Sequence, residues 1–186
     1  MTYDFNDAES NSGFDLIPAG TIAPMIMTIR PGQAGDGGWL TPSNSSDYRY
    51  LNLEFVITDG PFAKRKFWGN MMVEHPRPTE ERVAKTLGIS RSKLRGILES
   101  ARGIDPKDES DAAKAKRIVQ GYGDFSGLEF VGKIAIQKGS GGYADKNELD
   151  CAVPVTSPDY AKAKSGAVAA PAAPKAPAAG VPSWAA

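Results

Sequence analysis

Hydrophobic and polar positions along this chain fall into two rhythms. In residues 48–58, YRYLNLEFVIT, the residues Leu51, Leu53, Phe55 and Ile57 alternate with Asn52 and Glu54. That two-residue period is the mark of a strand with one buried face. Residues 21–30, TIAPMIMTIR, are equally rich in strand formers and predict a strand before it. Residues 64–74, KRKFWGNMMVE, follow a Gly60-Pro61 turn and predict a third, while 127–139 and 146–155 predict a fourth and a fifth. Between the third and fourth strands the period lengthens to three and four. Thr79 is placed to cap a helix starting at Glu80, and Ser90 a second over 91–102, with Leu94, Ile97, Leu98 and Ala101 on one face and Gly103 as its stop. A third run over 111–120 carries a thinner stripe of Ala113, Ile118 and Val119. Three strands, a helical insert and two strands predict a mainly β domain: a five-stranded OB-like Greek-key barrel with the insert between strands 3 and 4.

The periods stop at both ends. Residues 1–14 are acidic and polar and read as a flexible arm, and residues 161–186 consist mostly of Ala, Pro, Gly and Lys. Such a tail buries too little apolar surface to offset the cost of ordering, so it reads as disordered, leaving one domain over 15–160. At 186 residues and 41% hydrophobic, the chain is long enough for one such core. With one cysteine, Cys151, and one histidine, His75, neither a disulfide framework nor a structural zinc site is expected, and nothing calls for a cofactor. No leader and no apolar run of membrane-spanning length stand out, so the expected compartment is the cytoplasm.

Lys plus Arg and Asp plus Glu each total 22, so any anion-binding role must rest on local patches. One patch is clear. Residues 61–102 hold ten cations against four glutamates, so a neutral total hides a polarised molecule. Its densest point is Lys64-Arg65-Lys66-Phe67-Trp68. On a strand, Lys64, Lys66 and Trp68 share one face while Phe67 points into the core. That face can offer cations to phosphates and a ring to a base. The same residues also suit a solvated charge run with Trp68 at the rim of the core.

The loops of an OB barrel that bind ligands join strands 1 and 2 and strands 4 and 5. Here they are PGQAGDGGWLTPSNSSD and KGSGGYADKN, each with a Gly-rich stretch ending in an aromatic, Trp39 and Tyr143. Arg30, Lys138 and Lys146 lie beside them, and Lys133 interrupts the apolar fourth strand. Glycines let backbone approach a ligand, and a ring on such a loop can stack on any base. The alternative is that these are hairpin connections whose rings fold back onto the barrel. The nine candidate contacts for single-stranded DNA are therefore Arg30, Trp39, Lys64, Lys66, Trp68, Lys133, Lys138, Tyr143 and Lys146.

The segments YLNLEFVITDGPFAKRKFWGNM, KLRGILESARGIDP and FSGLEFVGKIAIQKGSGGYADKNEL together resemble a small phage and prophage family long catalogued as a domain of unknown function. Its members are similar to phage single-stranded DNA-binding proteins of OB-fold type. The resemblance covers residues 15–155 and rests on Gly60, Phe62, Arg65, Lys66, Phe67, Trp68 and Asn70, with Asn147 after the fourth strand. It implies a role in phage recombination or replication beside a recombinase or annealing protein. The tail departs from that pattern: it ends near Trp184 and lacks the acidic run with a terminal Phe by which many bacterial single-strand binders recruit partners. Trp184 is nevertheless a candidate docking residue.

Two other readings use the same residues. RVAKTLGISRSKLRGIL, residues 82–98, has the small residue and turn of a helix-turn-helix at Ala84 and Gly88, which would present Arg91, Lys93 and Arg95 to a duplex. A phage structural or adaptor protein without nucleic-acid activity would instead use the loops and Trp184 for protein contacts. An enzyme is not expected: His75 lies in a proline-bound turn, Cys151 reads as a small core residue, and no carboxylate pair is spaced for two metals. Homodimerisation is left open.

Overall fold

The computed structural model describes residues 15–166. Its strands are β1 (Ile22–Arg30), β2 (Thr41–Pro42), β3 (Arg49–Ile57), β4 (Lys66–Glu74), β5 (Leu128–Gln137) and β6 (Lys146–Ala152). The helices are α1 (Glu81–Arg102), α2 (Asp111–Lys116) and α3 (Pro158–Lys164). All five expected strands form, with ends shifted by up to three residues.

The strands make one antiparallel, open sheet. β1 and the two-residue β2 share one edge of β3, while β4 runs along its other edge. β5 pairs with β1, and β6 with β5. The alternation in β3 is realised: Leu51, Leu53, Phe55 and Ile57 are buried, and Asn52 and Glu54 face outward. They join Met25, Met27 and Ile29 of β1, Phe67 and Met71 of β4, and Phe130 and Ile134 of β5 in a single core. Phe55 stacks on Phe67 with ring centroids 4.9 Å apart and meets Phe130 edge-on, an aromatic centre that ties β3 to β4 and β5.

Closure into a barrel is not seen. β4 and β6 approach within 8 Å, Cα to Cα, but no strand pairing joins them among the described residues. Other groups occupy that seam. Asn147 of β6 accepts from the Ile17 N–H (2.9 Å) and donates to its carbonyl (2.7 Å), lashing the incoming chain to β6. Lys93 of α1 reaches in and donates to the Leu149 carbonyl (2.9 Å).

The insert corrects the helix-turn-helix expectation. One 22-residue helix runs without a break through Gly88, Ile89 and Ser90. Gly and Ser are weak helix formers, but Leu87, Ser90, Leu94, Ile97 and Leu98 make one buried stripe, and packing that stripe on the sheet outweighs local preference. Gly103, at φ 68°, ends the helix as expected. Two of the three supposed duplex readers are engaged elsewhere: Lys93 on Leu149, and Arg95 on the buried Glu99 (2.8 Å). Arg117 also pairs with Glu99 (2.7 Å) and donates to the carbonyls of Asp105 and Asp108, fastening the connection after α1. The folded part runs past the boundary expected at 160, because α3 packs Ala163 against Val131 and Val153. The arm over 1–14 and the tail beyond Gly166, with Trp184, lie outside the described residues.

Candidate functional site

β4 begins two residues later than expected. Lys64 stands in the preceding turn at φ 68°, a left-handed conformation unusual for a residue with a Cβ, and its N–H donates to the Ile57 carbonyl (2.8 Å). Lys64 and Lys66 are therefore not neighbours on one strand face. From Lys66 onward the expected alternation holds: Phe67 and Met71 are buried, and Lys66, Trp68 and Asn70 face out.

On that outer face β1 and β4 bring three side chains together around Glu54 of β3, whose neighbours across the sheet are Thr28 and Trp68. The Glu54 carboxylate accepts from Lys66 Nζ (2.9 Å), Arg30 Nη2 (2.8 Å) and Trp68 Nε1 (3.0 Å). The Arg30 guanidinium lies 5.8 Å from the centre of the Trp68 ring, within cation–π range. Those bonds, the one from Lys66 foremost, hold the Glu54 pKa down at about 2. Trp68 is thereby oriented at its nitrogen and remains 47% exposed.

Beside this cluster, the unpaired seam opens as a groove of about 550 Å3. Its walls include Lys64, Lys66 and Trp68 from the β4 side and Lys146 and Asn147 from β6, with Asp15 and Leu16 along it. A smaller recess of about 260 Å3 shares Trp68, Gly69, Asn70 and Lys146 with it and extends to Lys93 and Leu149. Lys64 and Lys146 make no ion pair among the described residues; of the two carboxylates on the same walls, Asp145 pairs with Lys138 and the other is Asp15.

The nine candidate residues thus separate. Lys64, Lys66, Trp68 and Lys146 share the groove, and Arg30 adjoins it through Trp68. Tyr143 is 83% exposed at the tip of the β5–β6 loop, and Lys138 in that loop pairs with Asp145 (2.7 Å), itself on the groove wall. Trp39 lies elsewhere. Its ring packs against the core and over Gly123, so close that a Cβ there would stand 2.7 Å from the Trp39 nitrogen. Together with the fully buried Leu40 it folds the β1–β2 loop inward, which is the hairpin alternative and not a stacking platform. Lys133 pairs with Asp150 (3.1 Å), the residue bulged out of β6 register, and lines neither recess.

Sequence reasoning passed over Glu54. The signal available was an acid alternating with Leu53 and Phe55 on a strand, but its partners lie 12 to 24 residues away and only pairing brings them together. Cys151 is exposed, not a core residue. His75 Nδ1 accepts from the Arg77 N–H within its own turn (3.0 Å). Among the described residues no group of three or more His, Cys, Asp or Glu side chains could hold a metal, and no helix is long and apolar enough to cross a membrane. The chain matches no protein-family model and no curated protein sequence.

Proposed function

We propose that the protein binds single-stranded nucleic acid, DNA in the first instance, with little sequence preference, and that it acts by binding and not by catalysis. One observation carries this: Lys64, Lys146 and the half-exposed ring of Trp68 line one open groove. Lysines on either wall attract phosphates, and a ring fixed at its nitrogen offers a face to any base. The strand order β4–β3–β1–β5–β6 also supports reading the sheet as an OB-type barrel with its last seam unzipped. Together with the resemblance to phage single-strand binders, this points to service in phage recombination or replication in the host cytoplasm, beside a recombinase or annealing protein.

The test is fluorescence anisotropy of labelled oligo-dT at several salt concentrations, with duplex of equal length as competitor. The expected result is salt-sensitive binding that duplex does not displace. Lys64→Gly combined with Lys146→Ala should make the salt slope shallower by about 1.4, roughly 0.7 for each phosphate no longer neutralised. Glycine at 64 also suits the left-handed turn, so folding is not the confounding variable. Trp68→Ala should weaken binding by about 1–3 kcal/mol. An unchanged slope in the lysine variant would remove the groove from the binding surface.

A further inference from the structure

We propose that the acidic segment over residues 1–14 docks in the groove between β4 and β6 and competes there with nucleic acid. The docking stands on the groove itself; only the competition rests on the function proposed above.

The first described residue, Asp15, lies on the groove wall with Leu16. Its carbonyl accepts from the Arg65 guanidinium, and two residues on, Asn147 holds both backbone groups of Ile17. The chain is therefore fixed where it enters the seam, and whatever precedes Asp15 starts from the groove. Fourteen residues can reach about 46 Å when extended, while a nine-residue strand such as β4 is about 30 Å long, so the whole groove is within range.

Charge matches as well as reach. The segment MTYDFNDAESNSGF carries Asp4, Asp7 and Glu9 and no Lys or Arg. The groove carries Lys64 and Lys146 without ion pairs among the described residues, along with Arg65 and Lys66, against the carboxylates of Asp15 and Asp145, so cations remain in excess on its walls. In an extended segment Tyr3, Phe5, Asp7 and Glu9 point to one side and Asp4 to the other, so the rings and two carboxylates can meet the wall that carries Trp68, Lys64 and Lys66 while Asp4 faces Lys146. Backbone supplies a further means of docking. β4 and β6 face each other without pairing, and an extended segment can hydrogen-bond to such an edge. Because the competitor is tethered, its effective concentration is in the millimolar range, and a nucleic-acid strand must displace it to bind.

The experiment compares the full chain with its Asp4→Asn, Asp7→Asn, Glu9→Gln triple variant. In amide-resolved NMR without ligand, the Trp68 indole N–H, assigned through Trp68→Phe, and the amides of Lys66 and Asn70 should move on neutralisation, while that of Lys133 stays in place. In anisotropy at low salt the variant should bind oligo-dT about tenfold more tightly, an advantage that vanishes as salt screens the arm. Identical spectra would overturn the docking. Shifted spectra with equal affinities would overturn the competition. Shifted spectra in a protein that binds no oligo-dT would keep the docking and sink the nucleic-acid reading, whereas identical spectra with tight binding would do the reverse.

Discussion

The carboxylate of Glu54 accepts from three side chains on two neighbouring strands, and this arrangement has two opposed effects. It holds Arg30 and Trp68 in place, and it neutralises cations that would otherwise face a ligand. Arg30 and Lys66 are each about half exposed, so screening limits the stabilisation from the cluster to on the order of 1 kcal/mol. Glu54→Gln should therefore lower stability by about that amount in chemical denaturation, yet strengthen single-strand binding and steepen its salt slope, because two cations lose their internal anion. The pH dependence has a definite sign. The folded pKa lies below the ordinary value of 4.5, so the contribution is present above 4.5 and is lost as pH falls towards about 2. Wild-type stability should decline over that window more steeply than that of the Gln variant. A variant with weaker single-strand binding would show that Glu54 serves mainly to position Trp68.

Among the elements, α1 shows how a sequence signal can be right in its parts and wrong in its join. The residues that suggested a turn, Gly88 and its neighbours, sit in mid-helix with ordinary backbone, and a Cβ at Gly88 would meet nothing within 4 Å. Gly88→Ala should thus stabilise the protein by about 0.5–1 kcal/mol by removing glycine's freedom in the unfolded chain, a rise of about 1–4 °C in Tm. A true turn there would require the opposite outcome. Strand identities were legible because a two-residue period with large apolar residues fits little besides a strand, as β3 illustrates. Loop orientation was not legible. GDGGW and GSGGY look alike, yet Trp39 packs against the core and over Gly123 while Tyr143 points outward, because Trp39 meets residues more than 80 positions away that no loop sequence records.

At the scale of the whole molecule, the described residues form a sheet with an unpaired seam between β4 and β6, and properties should differ along that line. Amides on the facing edges of β4 and β6 should exchange with solvent faster than those between β1 and β3, since the latter pair over six consecutive positions and back onto the aromatic centre. Hydrogen exchange followed residue by residue checks this, and uniform protection across β4 would mean that the seam closes in solution. Ligand in the groove should slow exchange first at Gly69 and Asn70, which line both recesses.

Local sequence was enough to set the inventory: five strands, the outward face of Lys66 and Trp68, the helical insert, and a surplus of positive charge in the central third. Each depends on near neighbours, through strand alternation, turn residues and local composition, and such signals survive without any fold. Long-range packing was needed to decide that the barrel stays open, that α1 is continuous, that Lys64 stands in the turn before the strand, and that Glu54 neutralises Arg30 and Lys66 while Lys64 and Lys146 make no ion pair among the described residues. These outcomes depend on residues far apart in the chain. Whether Asn147 binds β4 or Ile17, or a carboxylate meets one lysine or another, is set by which strands lie side by side, and no local period records that.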